Sequence, residues 1–462
     1  MGHSLIDHDG GAVPLTPLTK AELGAWRESA PAHERDWAAA IGFKAEAGKI
    51  ALVPDTHGKL GRVLVGVGES EAAMWSIAGL SETLPEGSYR LDPLRESAPC
   101  GADASRVALG WALGTYGFTR YHEKPAGVAR LVWPEGADRA LVERLADAIF
   151  LARDLATTPA SDMGPEELAA AAEQVANAQG AHCWIVIGDK LLDENYPTIH
   201  AVGRASTRAP RLVDITWGEA DAPKVTLVGK GVCFDTGGLD LKPASSMLNM
   251  KKDMAGAAIM LGLGQAIMRA GLKVRLRVLL PCVENSVAGN AMRPRDIIKT
   301  RKGLTVEIGN TDAEGRLILC DALADASDEK PEMIIDAATL TGAARVALGP
   351  ELPALFCNND ALADALIAAG AAEDDPMWRM PLYKPYRRLI DSKIADLNNV
   401  SDGPQGGAIT AALYLNEFVD PTVPWAHLDV MAWNNRSRPG RPEGAEAQTL
   451  RAVYAHIAER FG

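Results

Sequence analysis

Apolar positions along the chain follow two different rhythms. Beyond about residue 157, short β-branched runs alternate with alanine-rich stretches whose apolar residues recur at helical spacing. The runs predict strands at 183–187, 212–216, 225–234, 274–282, 333–337, 354–357 and 427–431. The alanine-rich stretches predict helices at 166–178, 254–270, 314–326, 361–369, 408–418 and 449–460. Strands that are apolar throughout, separated by helices, imply a mostly parallel central sheet flanked by helices. The first third is more mixed: 49–53 and 62–67 read as strands and 105–116 as a helix. Residues 137–156 hold helical periodicity until Thr158-Pro159, where the residue before proline avoids the helical region. The expected fold is therefore α/β in two domains. A smaller N-terminal α/β domain covers 1–136, a connecting helix 137–156, and a larger C-terminal domain 157–462.

Charge narrows the partners. The 47 basic and 60 acidic side chains leave a net charge of −13. The deficit is not segregated, since the first 150 residues already hold 15 basic against 20 acidic groups. Such a chain repels phosphate backbones, so nucleic acid is disfavoured as a partner. No run approaches the roughly 20 apolar residues of a membrane span, and no basic residue precedes an apolar core near the N-terminus. The six cysteines (Cys100, Cys183, Cys233, Cys282, Cys320 and Cys357) are spread out and form no C-x-x-C pair. Most sit in apolar runs, which suits buried, reduced thiols and a cytoplasmic setting.

In open α/β sheets, chemistry gathers beyond the carboxyl ends of the strands. Two segments fall at such places. One runs from Gly229-Lys230-Gly231 through Asp235-Thr236-Gly237-Gly238 to Lys242 and Lys252-Asp253. The other is Gly309-Asn310-Thr311-Asp312-Ala313-Glu314-Gly315-Arg316-Leu317. Each piece has an ordinary structural reading. Asp253 is placed to cap a helix, Thr311 and Glu314 have capping-box spacing, the lysines suit a solvated surface, and Gly237-Gly238 suits a turn. The group is harder to explain that way. Clustered acids repel unless cations lie between them, and four carboxylates suit two divalent ions better than one. The chain has no H-E-x-x-H, no G-x-S-x-G elbow and no phosphate-binding glycine loop. No histidine lies between Lys230 and Arg316, and His427 reads as a packed, hydrogen-bonded core residue. A hydrolytic site here would run on carboxylates, lysine, arginine and metal.

Asn310-Thr311-Asp312-Ala313-Glu314-Gly315-Arg316-Leu317 resembles the signature octapeptide of the leucyl aminopeptidase family, the cytosol aminopeptidases. The series Lys230, Asp235, Lys242, Asp253 is similar to that family in residue type and spacing. The likeness runs from about residue 152 to the predicted strand at 427–431 and is weak in the first third. It implies that 157–462 is a metallopeptidase catalytic domain, and that the chain removes N-terminal leucine and similar apolar residues from peptides. It implies two divalent ions per chain, Mn2+ or Zn2+. One would be held by Asp235, Asp312 and Glu314, the other by Lys230, Asp235, Asp253 and Glu314. Lys242 would stabilise the developing oxyanion, and Arg316 would hold a bicarbonate serving as general base. Leu340 would bind the substrate backbone, while Met250, Thr339 and Gly342 would line the first side-chain pocket. The resemblance further implies a homohexamer.

Overall fold

The computed structural model describes residues 3–7, 9–68, 73–92, 104–122 and 129–462. Cys100 therefore lies outside the described residues. Two compact units are present, one of Met1–Asp147 with Asn435–Glu443, the other of Ala148–Asn434 with Gly444–Gly462. The division falls inside the helix Arg139–Thr157.

The first unit is built on a six-stranded sheet in the order Leu5–Ile6, Ala129–Val132, Gly87–Leu91, Val13–Thr19, Leu60–Gly68, Ile50–Pro54. Only the last pair is antiparallel. Alternate residues of Leu60–Gly68 serve two cores. Val63 and Val65 pack with Trp111 of the helix Ala104–Gly114, whereas Leu64 packs with Trp26 and Val53. The late segment 435–443 belongs to this unit: the Arg441 guanidinium lies 4.0 Å over the Trp75 ring, and Pro439 packs against Gly79.

The second unit carries the larger sheet. Its order is Trp378–Arg379, Ala354–Cys357, Trp425–Asp429, Met333–Ala338, Lys224–Gly229, Arg275–Asn285, Arg211–Trp217, His182–Ile187. The centre, from Trp425–Asp429 to Arg275–Asn285, is parallel, while antiparallel pairings flank it on both sides. The run predicted as one strand at 225–234 is broken at Lys230. Lys224–Gly229 pairs with the first half of Arg275–Asn285, and Gly231–Asp235 pairs with the second half. The break follows from backbone contacts on the other side, since Lys230 N–H donates to Ala337 O and Lys230 C=O accepts from Ala257 N–H.

Helices cover both faces. Val228, Leu279 and Ile334 share a core with Leu317, Ile318 and Leu319 of the helix Glu314–Asp328. Gly229 points to the opposite face, where a Cβ would stand 2.5 Å from Ala257 Cα. That contact seats the helix Ala255–Ala270, itself buried along nearly its whole length, directly on the sheet. A separate three-stranded sheet of Ile297–Lys299, Thr305–Glu307 and Leu397–Asn398 was not predicted. No helix among the described residues is long and apolar enough to cross a membrane. Cys233, Cys282, Cys320 and Cys357 are buried free thiols, and Cys183 is half-buried.

Candidate active site

The ends of neighbouring strands deliver the polar groups. Lys230 follows Lys224–Gly229, Asp235 ends Gly231–Asp235, Asn285 ends Arg275–Asn285, Thr339 follows Met333–Ala338, and Asp429 ends Trp425–Asp429. All five lie at the carboxyl edge, where the sheet's chemistry was expected. Two further segments close on this edge. The 3-10 turn Met250–Met254 brings Asp253, and the octapeptide brings Asp312 and Glu314 at the start of its helix.

The two lysines are each set between two acids. Lys230 Nζ lies 2.8 Å from Asp253 Oδ2 and 3.0 Å from Glu314 Oε1, and it donates to Thr339 O at 3.0 Å. Lys242 Nζ lies 2.8 Å from Asp235 Oδ2 and 2.5 Å from Asp312 Oδ1. Lys230, Asp235, Asp253 and Glu314 are all 3% exposed or less. Gly315 makes the packing feasible, because a Cβ there would stand 2.4 Å from Lys230 Cε.

The charge balance of this cluster is unfavourable. Two ammonium groups face four carboxylates in a buried site. Burial, and then the neighbouring Asp235, push the Glu314 carboxyl up to about 8. Burial and Asp253 push Asp235 up to about 6. Burial also opposes charge on Asp253, but Lys230 and Lys252 outweigh it and hold that carboxyl below its ordinary value. Burial disfavours the Lys230 ammonium, yet Asp253, Glu314 and Asp235 together keep its pKa above normal. A carboxylate surplus of this kind is relieved by added positive charge. Oxygens of Asp235, Asp312 and Glu314 lie within 4.8 Å of one another, so this donor set fits a hard divalent cation.

The structure revises the ordinary readings of these residues. Asp253 caps no helix, since its carboxylate meets Lys230 and accepts from Thr339 Oγ1 at 2.7 Å. Thr311 forms no capping box. Its hydroxyl donates to Gly237 O at 2.6 Å, and Ala313 is the residue at the helix cap. His427 is packed as expected, with Nδ1 2.6 Å from Asp336 Oδ1 and its ring between Phe356 and Trp425.

Against this geometry, the sequence profile of the cytosol aminopeptidase family, catalytic domain, matches residues 150–454. The chain belongs to the cytosol aminopeptidase family. It is thus a metallo-exopeptidase, and a hydrolase of peptide bonds. The profile of the M17 aminopeptidase N-terminal domain matches residues 13–134, so the family likeness reaches into the third where the sequence resembled it only weakly. A probable cytosol aminopeptidase of Roseiflexus castenholzii is 40% identical over 374 residues, covering 77% of this chain and 76% of that protein. The crystal structure of a cytosol aminopeptidase from Coxiella burnetii superposes with a TM-score of 0.95 at 46% identity, covering 99% of this chain and 100% of that one. The bottromycin maturation enzyme BotP, in a complex with Mn, has a TM-score of 0.88 at 33% identity, covering 98% and 100%.

Several residues that hold this cluster together escaped the sequence reading. Asn285 Nδ2 donates to Asp235 Oδ1 at 2.8 Å and to Thr311 O at 3.1 Å, tying the two segments to each other. Asn399, fully buried, clamps the octapeptide. Its Oδ1 accepts from Gly309 N–H and Asn310 N–H, its Nδ2 donates to Asn310 O, and its carbonyl accepts from Arg316 Nη1 at 2.5 Å. Asp429 holds the Thr339–Thr341 turn by accepting from Leu340 N–H, Thr341 N–H and Thr341 Oγ1. Of the expected pocket residues, Thr339 touches the cluster directly through Asp253. Met250 opens the turn that carries Asp253, and Gly342 begins the helix Gly342–Leu348.

Proposed function

We propose that the chain is a dinuclear aminopeptidase that releases N-terminal residues, leucine and similar apolar ones foremost, from peptides. The observation that carries this reading is the insertion of Lys230 and Lys242 between separate pairs of the same four carboxylates. One ion would be held by Asp235, Asp312 and Glu314, and a second by Lys230, Asp235, Asp253 and Glu314. Manganese and zinc both suit such a donor set. Bound there, the ions would supply Lewis acidity and lower the pKa of water.

The chain's own groups have distinct tasks in this reading. Lys230 ligates only as the free amine, so loading the site releases its proton. Lys242 keeps its charge and donates to the scissile carbonyl oxygen as that oxygen becomes anionic. Arg316 would orient a bicarbonate as general base. Its Nη1 is taken by Asn399 O, but its buried Nε has no partner among the described residues and is suited to an anion. The Leu340 N–H is already held by Asp429, which sets the peptide unit whose carbonyl would meet the substrate amide. Met250, Thr339 and Gly342 would line the pocket for the first side chain. The free α-amine of the substrate would be recognised at the second ion, restricting cleavage to the N-terminus. We place the enzyme in the cytoplasm as a homohexamer.

Chelation should abolish leucinamide hydrolysis, and manganese or zinc should restore it. N-acetyl-leucinamide should resist the reloaded enzyme. Equal rates on the blocked and free substrates would overturn this reading.

A further inference from the structure

A cavity of about 440 Å3 lies at the amino edge of the larger sheet, opposite the carboxylate cluster. Pro331 and Glu332 directly precede the strand Met333–Ala338, and Pro424 directly precedes Trp425–Asp429. Those strands are 6 and 5 residues long, so roughly 17–20 Å separate the two edges. The cavity is therefore no part of the substrate cleft, and its volume is that of a small-molecule site.

Its walls are mixed. Pro331, Pro424, Ala361 and Leu362 supply apolar surface. Two polar groups are engaged locally: Asn359 Oδ1 accepts from Leu362 N–H at 2.9 Å, and Thr422 Oγ1 donates to Asp420 Oδ1 at 2.6 Å. Three others keep capacity for a ligand. His456 and Arg460 stand one turn apart on the helix Leu450–Phe461, and both line the cavity. Arg460 Nη2 meets Glu332 Oε2 at 2.9 Å, an opposite-charge pair on the exposed rim. His456 is 7% exposed, and its Nε2 has no hydrogen-bond partner among the described residues. Burial, and then the charge of Arg460, hold this imidazole below its ordinary pKa, so at pH 7 it is neutral and offers one donor and one acceptor nitrogen. A buried polar atom without a partner is costly unless a ligand supplies one.

The rim charges decide the class of ligand. A lone anion would meet repulsion from Glu332 and a lone cation from Arg460, whereas a zwitterion satisfies both. Among the described residues, no set of three acids, histidines or thiols forms a metal site here. We propose that the cavity binds a free α-amino acid with an apolar side chain. Its carboxylate meets Arg460, its ammonium meets Glu332 and His456 Nε2, and its side chain packs against Pro331, Pro424 and Leu362. An exopeptidase releases such molecules, so the enzyme carries a site for its own product, remote from where that product forms. The site depends on neither the metal count nor the leucine preference proposed above.

Equilibrium dialysis of labelled L-leucine against the metal-loaded enzyme tests this. The unmodified enzyme should show a leucine site, one per chain, whose affinity falls about tenfold in Arg460→Gln, Glu332→Gln and His456→Leu, as expected for a lost charge-assisted hydrogen bond. Leucine held at the catalytic centre is untouched by these changes. N-acetyl-leucine, which lacks the ammonium, should not displace the leucine bound at this site. Leucyl amide hydrolysis at low leucine should be alike in all four proteins, showing that the variants fold. Arg460→Gln and Glu332→Gln alter only exposed side chains, so they carry the test if His456→Leu does not fold. Leucine binding unchanged in those two variants, or displaced by N-acetyl-leucine, would overturn the site. Leucine bound as expected by a protein that hydrolyses no leucyl amide would overturn the leucine preference and leave the site standing.

Discussion

Lys230 and Lys242 stand on one glycine-rich segment in different surroundings, and the proposed function assigns them different work. Lys230 is sealed among Asp253, Glu314 and the Thr339 carbonyl, whereas Lys242 is half-buried between Asp235 and Asp312. Replacing Lys242 with Ala should lower turnover by roughly 100- to 1,000-fold, the usual cost of one donor aimed at a developing oxyanion. Metal content should change little. Lys230→Ala should instead empty the second metal position, with activity partly rescued by excess metal. Metal stoichiometry measured beside turnover checks both, and the opposite pattern would mean the roles are exchanged. These charged residues were legible because several unlike ionisable groups crowd short glycine-rich stretches. Asn285, Asn399 and Asp429 were not. Each works by bonding to backbone or side chains far away in the chain, and nothing local to Asn398-Asn399-Val400 marks that task. Thr311 shows the converse failure. Its capping spacing is genuine, but the tertiary partner Gly237 takes the hydroxyl.

At the scale of elements, the apolar rhythm placed the central strands and the long helices, because burial on both faces or along one stripe leaves a strong period. It did not show the break at Lys230. Apolar residues continue through Val232, Cys233 and Phe234 and the pairing with Arg275–Asn285 resumes, while the pairing of Lys224–Gly229 with Met333–Ala338 stops at Gly229. The three-stranded sheet was missed for a simpler reason: strands of two or three residues are too short to carry a period. The octapeptide helix depends on one close approach. Gly315→Ala would set a methyl group against Lys230 Cε, whose ammonium is held on three sides. The lysine tip must move, because the helix and sheet behind it are fully packed. We expect a folded protein, destabilised by about 1–3 kcal/mol, with weakened metal binding. Thermal melts and metal titration of the variant decide this. Unchanged metal affinity would show that Lys230 has room to spare.

For the whole molecule, the exposed apolar side chains of the second unit bear on assembly. Leu248, Val346 and Ile394 are 78%, 85% and 63% exposed. Such side chains mark an association surface where they join in one contiguous patch. Light scattering should return about six times the single-chain mass, and a monomer at working concentration would contradict the hexamer. The sequence also suggested a simple order of domains, the first finished before the second begins. That order reflects the limit of local pattern, since a short polar stretch such as 435–443 carries no mark of the unit it will join. In the structure this stretch brings Arg441 over Trp75 and Pro439 against Gly79. During synthesis, the first unit therefore emerges with a face uncovered and stays so until the entire catalytic sheet has been made. Residues 435–443 are made only after the last strand of that sheet, Trp425–Asp429, so through most of synthesis one unit awaits a piece not yet translated.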